Sequence, residues 1–181
     1  MDIQDEAQII TRVQAGESEP FAHLVRRYQA ALFRIVGNLV GRQKAEDVVQ
    51  ETFLAAFRNI GTFDHRRGLF RTWLYRIARN QAFNEMKKKR HDSLLKELEP
   101  IDFRTPADQV LCKEALEHLD RALASLSFQD RAIFVLAEIE GLAYGEIARI
   151  EALRLGTVKS RLARSRAKLK TLIDPYVSHH E

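Results

Sequence analysis

Residues 63–90 read FDHRRGLFRTWLYRIARNQAFNEMKKKR, a segment that joins an apolar stripe to a dense run of cations. Wound as a helix from Leu69 to Lys89, it places Phe70, Trp73, Leu74, Ile77 and Ala78 on one side, the i, i+3, i+4, i+7 spacing of a buried face. Thr72, Arg76, Arg79 and Phe83 fall on the other side, with Asn80 on the flank. Between Arg66 and Arg90 there are nine Lys/Arg against one acid, Glu85, a local net of +8. Guanidinium groups grip phosphate, an amide reads a base edge and an aromatic ring stacks, so this mixture suits nucleic acid. A solvated basic face would carry the same charge, and charge alone leaves both readings open. Thr62–Gly68 reads as a loop in which Phe63, His65, Arg66 and Arg67 have no periodic partner. Trp73, inside the apolar stripe, reads as core.

Upstream, three helices are expected. The first covers Asp2–Ala15, with Ile3, Ala7, Ile10 and Val13 on one side and Gly16 as its stop. Ser18 is expected to cap the second, with Pro20 in its first turn and Gly41 at its end. The third runs from about Lys44 to Asn59. Its core side is Val49, Thr52, Phe53, Ala56, Phe57 and Ile60. Its opposite side is Asp47, Gln50, Glu51, Leu54 and Arg58. A leucine fenced by acids has the form of a docking face, an apolar centre inside a polar rim, although lone surface leucines are also common.

Downstream, periodicity fades from His91 to Pro106, where Pro100 and Pro106 punctuate an acidic stretch. A linker there separates residues 1–90 from residues 107–181. The second half opens with a helix over 107–126. Ser127 caps the next, with Asp130 in its first turn and Ile133, Phe134, Leu136 and Ala137 inside. A short helix from Tyr144 to Ile150, a turn and a basic helix from about Leu155 to Leu172 then form a helix-turn-helix pattern. Val158, Leu162, Leu169 and Leu172 share one face of the last helix; Thr157, Lys159, Ser160, Ala163 and Arg164 share the other. Small and polar residues near its N-terminal end let such a helix seat in a major groove, where Lys159 and Arg164 reach guanine edges or phosphates.

Composition bounds the rest. The 181 residues fit one domain or two small ones, and 45% apolar content suffices for cores. One cysteine, Cys112, excludes an internal disulfide and a multi-cysteine zinc site. The acidic, polar start MDIQDEAQ is not a signal peptide, and no apolar run reaches membrane-spanning length. A cytoplasmic protein without membrane insertion is expected. Residues 157–170 hold six Lys/Arg and no acid; with the +8 above, the remaining chain sums to −10 against a total of +4. Two basic faces on an acidic body, each backed by its own apolar stripe, fit a polyanion held at two places. No carboxylate cluster, P-loop or nucleophile–base set appears, so neither catalysis, metal nor cofactor is expected, and His179 and His180 at the tail do not read as ligands.

AEDVVQETFLAAF (45–57), FRTWLYRIARN (70–80), EGLAYGEIA (140–148) and GTVKSRLARSRAKL (156–169) together resemble the extracytoplasmic-function sigma factors, the smallest members of the sigma-70 family. The resemblance runs from about Phe21 to Leu169, with the motifs in the family's order. It implies an all-α protein of two small helical domains joined by a linker: a region 2-like bundle (1–90), the linker (91–106) and a region 4-like helix-turn-helix domain (107–181). It implies a transcription initiation subunit whose partners are core RNA polymerase, promoter DNA and an anti-sigma factor. By the same resemblance, Asp47, Gln50, Glu51 and Leu54 dock on core polymerase. Phe63, His65, Arg66, Arg67, Arg76, Arg79 and Asn80 engage the −10 element, the first four lining a pocket for an unstacked base. Gly156, Thr157, Lys159, Ser160, Ala163 and Arg164 contact the −35 element, and the linker threads toward the polymerase active-site channel.

One departure stands out. Where the family usually has Leu-Gly-Val-Pro, this chain has Glu151-Ala152-Leu153-Arg154. Alanine replaces the glycine that takes a positive φ, which predicts a looser turn or two helices closer to continuous. The alternative function is a stand-alone helix-turn-helix regulator or a sigma-mimicking decoy. A regulator has no use for the Asp47–Leu54 face, and a decoy has no use for the basic segments.

Overall fold

Phe70, Leu74 and Ala78 recur on one helix face, and in the computed structural model of the protein all three are sealed from solvent. The structure describes residues 3–94 and 121–177. Helices α1 (Ile3–Gln14), α2 (Phe21–Val40), α3 (Arg42–Asn59) and α4 (Phe70–Leu94) build the first domain. Two single 3₁₀ turns, Ile60–Thr62 and His65–Arg67, link α3 to α4. The core is formed by Leu24, Leu32, Ile35 and Leu39 of α2, Val48, Val49 and Ala56 of α3 and the α4 stripe. Thr52 is buried among them because its hydroxyl donates to the Val48 carbonyl at 2.7 Å, within its own helix. The Gln14 amide donates to the carbonyls of Ile60 and Phe63 at 2.9 Å, tying α1 to the loop before α4.

Ser18 does not cap α2 through its side chain. The backbone carbonyls of Ser18, Glu19 and Pro20 instead accept from the N–H groups of Phe21, Ala22 and His23. On α1, Ala7 is exposed and Ile9 packs against the core. Phe57, expected in the core, is 39% exposed, held edge-on against Phe21 with ring centroids 5.1 Å apart. Helix α4 continues to Leu94, into the segment expected as linker. The rest of that linker, the helix expected over 107–120, Cys112, His179 and His180 lie outside the described residues.

In the second domain, residues 121–124 are helical and Ser127 caps α5 (Phe128–Phe134). The Asp130 N–H donates to the Ser127 hydroxyl at 3.2 Å, as the sequence predicts. Helix α5 widens into one π turn, Val135–Ile139, closed by Glu140 N–H donating to the Val135 carbonyl. No residue in that apolar run signals the extra residue per turn. Helices α6 (Tyr144–Glu151) and α7 (Leu155–Val177) complete the helix-turn-helix.

The turn between them corrects the expectation of a looser joint. Ala152 adopts φ 53, ψ 45, the left-handed conformation. Leu153 N–H then donates back to the Ala148 carbonyl at 2.9 Å, the 6→1 bond of a Schellman stop. The two helices therefore break as sharply as with glycine, and alanine carries the strain.

The expectation of a separate apolar core behind each basic face is also corrected. Ile133, Leu136, Ile147, Ile150, Val158 and Leu162 join the first domain's core in one continuous cluster. Helix α6 lies on α4, and the π turn lies on α2. A small satellite of Ala122, Leu123, Leu126 and Leu169 closes the outer edge, while Leu172 is 41% exposed rather than buried. Among the described residues, no helix is long and apolar enough to cross a membrane.

Candidate nucleic-acid and polymerase-binding surfaces

Helix α7 separates its faces cleanly. Val158, Leu162, Ser165 and Leu169 are buried. Gly156, Lys159, Ser160, Ala163 and Arg164 are exposed on the opposite side, and Thr157 is partly so. The Arg164 guanidinium rests on its own helix, Nε donating to the Ser160 carbonyl at 3.3 Å. Three further cations of this basic segment are engaged by other residues of the chain. Arg161 donates to Asp130 at 2.9 Å, Arg166 to Glu138 at 2.6 Å, and Lys168 to the Ser125 carbonyl at 2.6 Å. The Ser127 hydroxyl and Arg161 hold the Asp130 carboxyl below the ordinary aspartate range despite the opposing effect of burial. The segment's charge thus divides between fastening α7 to α5 and the π turn and facing outward.

Helix α3 presents Asp47, Gln50, Glu51, Leu54 and Arg58 to solvent, as its periodicity predicts. Leu54 and Phe57, each 39% exposed, sit three residues apart on neighbouring turns. The apolar centre of this face is therefore larger than one leucine, with a carboxylate rim beside it.

The loop and α4 hold the remaining candidates. A cavity of about 460 Å³ opens between them, lined by Phe63, Arg67, Leu69, Trp73, Arg76 and, from the second domain, Arg149, among others. Phe63 is buried, packed against Phe70 and Trp73 at centroid distances of 5.4 and 5.7 Å. It forms the wall of the cavity rather than a free ring. His65 and Arg66 are exposed and do not line it. Arg66 is bound instead to Asp64, whose Oδ1 accepts from both its N–H and its Nε at 3.0 Å. That contact holds the Asp64 carboxyl below its ordinary value. Arg76 and Asn80 are exposed. Trp73, expected as core, is only partly buried and faces the cavity. Arg149 could not have been found from sequence, because it reaches this cavity from a helix more than 70 residues away.

Arg79 departs furthest from expectation. Its side chain is 18% exposed, and its guanidinium donates to Glu151 at 3.1–3.2 Å. It lies over the rings of Phe83 and Phe128, 5.3 Å from each centroid. Glu151 is itself 0% exposed, and burial pushes its carboxyl above the usual range, with Arg79 pulling the other way. Nearby, Arg71 forks onto Glu146 at 2.9 and 2.7 Å, and the buried Thr72 hydroxyl donates to the same carboxylate at 3.3 Å. At the far edge Arg34 forks onto Glu140 at 2.7 and 3.0 Å. The face of α4 carrying Thr72, Arg79 and Phe83 is therefore covered by the second domain, because Glu146 and Glu151 lie on the face of α6 that crosses it. Among the described residues no cluster of His, Cys, Asp and Glu could hold a metal ion.

Comparison with known proteins adds to this geometry. Residues 24–91 match the family model described as sigma-70 region 2, and residues 116–169 the one described as sigma-70, region 4. The chain is 34% identical over 179 residues to an ECF RNA polymerase sigma-E factor of Haemophilus influenzae, covering 92% of this chain and 94% of that one. It is 33% identical over 183 residues to the factor of the same description in Escherichia coli K12, with 93% and 94% covered. Among solved structures, it is similar to CnrH in complex with the cytosolic domain of CnrY, at a TM-score of 0.73 and 27% identity over 94% of this chain and 98% of that one. It is similar also to the sigma factor RpoE in complex with the anti-sigma factor NepR from Bartonella quintana, at 0.71 and 28% over 85% and 96%.

Proposed function

The chain belongs to the extracytoplasmic-function group of the sigma-70 family, RNA polymerase sigma factors that direct core polymerase to promoters, and from that membership we propose how its surfaces divide the work. Residues 1–90 form the unit for core polymerase and the −10 element, 91–106 the linker, and 107–181 the unit for the −35 element. On α3, Asp47, Gln50, Glu51 and Leu54, joined by Phe57, dock on core polymerase, the apolar pair giving contact area and the carboxylates register. On α7, Gly156, Thr157, Lys159, Ser160, Ala163 and Arg164 read the −35 element in the major groove.

The cavity beside Phe63, Arg67, Trp73 and Arg76 receives a base unstacked from the −10 strand, with His65, Arg66 and Asn80 at its approaches and Arg79 on the same helix. Extruding a base costs a few kcal/mol, and a pocket that holds the base offsets that cost. Melting is then driven by binding, and the chain needs no catalytic residue of its own. The protein acts in the cytoplasm, where polymerase and promoter meet. The two structural relatives are complexed with CnrY and with an anti-sigma factor, which supports an anti-sigma partner here.

The observation that carries this reading is the open row of small and basic residues on α7, set at a sharp helix-turn-helix angle by Ala152. The test is run-off transcription by core polymerase across a promoter library, with and without the chain. Discrete start sites that need the chain are expected; transcripts no different from core alone would refute it. The stand-alone regulator is not favoured, since it leaves the α3 face without a purpose.

A further inference from the structure

Helix α1 (Ile3–Gln14) lies outside the stretch that matches sigma-70 region 2, which begins at residue 24. Its last residue reaches the loop that walls the cavity. The Gln14 amide donates to two carbonyls at once, those of Ile60 and Phe63, each at 2.9 Å. A carbonyl only accepts, so this pair of partners requires both N–H donors of the amide nitrogen and settles which end of the side chain faces the loop. The two carbonyls bracket Gly61 and Thr62, and the Ile60 carbonyl also accepts from the Phe63 N–H at 3.0 Å. Thr62, Phe63 and Asp64 line the cavity. The loop's own bonds are local. Thr62 Oγ1 donates to the Asn59 carbonyl at 2.7 Å, and the Arg67 N–H to the Asp64 carbonyl at 3.0 Å. Bonds of that kind shape a loop without fixing where its backbone stands; a tie to a distant helix does. Helix α1 is a firm anchor for it. Ile10 and Val13 are buried in the core, and Glu6 accepts from the Tyr28 hydroxyl and pairs with Arg27 at 3.2 Å. Gln14 itself is exposed, so it does not serve to fill the core.

We propose that Gln14 is a positioning residue for capture of the unstacked base: it holds the backbone on either side of Thr62 so that the cavity keeps one shape before the strand arrives. The inference rests on the proposed role of that cavity and adds a residue that sets its geometry. Gln14 touches no DNA. Its effect is preorganisation. A wall fixed in advance loses little further freedom when a base enters, whereas a loose wall is ordered at the expense of affinity. Phe63 is the link between the two, since its carbonyl is held by Gln14 while its ring packs on Trp73 at a centroid distance of 5.7 Å.

The test uses holoenzyme reconstituted from core polymerase and the full chain, with fluorescein-labelled single strands that carry the −10 element. An abasic site is walked through the element, and the ratio of intact to abasic affinity at each position reads base capture. Wild type is expected to show a position at which the abasic strand binds about tenfold more weakly. Gln14→Met keeps the length of the side chain and removes both donors, and it leaves Ile10, Val13 and Glu6 to hold α1. It is expected to lower the ratio at that position by about threefold, with core affinity unchanged. Trp73 is the chain's one tryptophan, so acrylamide quenching of its fluorescence reports the loop directly and should increase in the same variant. Gln14→Lys returns donors on a stem one bond longer and is expected to bring the ratio and the quenching back toward wild type. A wild-type ratio in Gln14→Met would overturn the proposal. So would a lowered ratio with Trp73 quenching unchanged, or a lysine variant no better than the methionine one. A wild-type holoenzyme with no discriminating position would refute the base pocket itself and this proposal with it, whereas discrimination that survives in Gln14→Met refutes the positioning role alone.

Discussion

Ala152 carries the sharpest conflict between a residue and its backbone. A left-handed φ costs an L-residue roughly 1–2 kcal/mol, while glycine at the same place loses about 0.5–1 kcal/mol more entropy on folding. Ala152 is exposed. Ala152→Gly is therefore expected to stabilise the protein by about 1 kcal/mol, seen as a thermal midpoint higher by roughly 2–4 °C. A lower midpoint would mean that the turn is held by something other than its own dihedral. Arg164 poses the complementary case, an exposed side chain. Arg164→Ala should weaken −35-dependent initiation by ~1–3 kcal/mol, the range for a good base-edge contact, with core affinity unchanged in a competition assay. Which residues on α7 face outward was legible because Val158, Leu162 and Leu169 recur at i, i+4 and i+11 and leave a single open side. The partner of Arg79 was not. Glu151 follows 72 residues later, and no periodicity within α4 tells a cation that meets solvent from one that meets a distant carboxylate.

Helix α3 shows what element-scale patterning reveals and where it stops. The outward row Asp47, Gln50, Glu51 and Leu54 was readable from the helical repeat, and the structure leaves it open. Phe57 was assigned to the core by the same repeat, but the core behind it is already filled by Phe21 and Phe53, whose rings stand 6.4 Å apart. Phe57 is displaced to the rim against Phe21, where it widens the face proposed for docking. Leu54→Glu puts a charge at the centre of that face and is expected to weaken core-polymerase binding by about tenfold, ~1.4 kcal/mol, as for a moderate hot spot. Because Leu54 is exposed, folding stability should stay within ~0.5 kcal/mol of wild type. Equal losses in binding and in thermal midpoint would show that Leu54 acts through the fold. The π turn Val135–Ile139 was beyond any such reading, since an extra residue in one turn leaves the apolar run unbroken; its effect is to bring Glu140 within reach of Arg34.

For the whole molecule, the count of cations overstates the charge available to DNA. The two basic segments together carry fifteen Lys/Arg. Arg66, Arg71, Arg79, Arg161 and Arg166 are spent on carboxylates, and Lys168 on a carbonyl. Sequence could place the two patches and their separation, because charge runs are local. It could not show that one domain's acids neutralise the other's arginines, because that is a property of the packed pair. Salt dependence distinguishes cations that reach DNA from cations engaged within the chain. Each phosphate neutralised on duplex DNA steepens the fall of log affinity with log salt by about 0.9. If Glu146 and Glu151 keep Arg71 and Arg79 from the backbone, the isolated wild-type chain should show a shallow slope on promoter duplex. A Glu146→Gln, Glu151→Gln variant should be steeper by about 1.8, two more phosphates held. Fluorescence anisotropy across a salt series measures both slopes on the same DNA. Parallel lines offset in affinity would mean that removing the carboxylate charges leaves both guanidinium groups off the backbone, and Arg79 would then lose its place among the proposed −10 contacts.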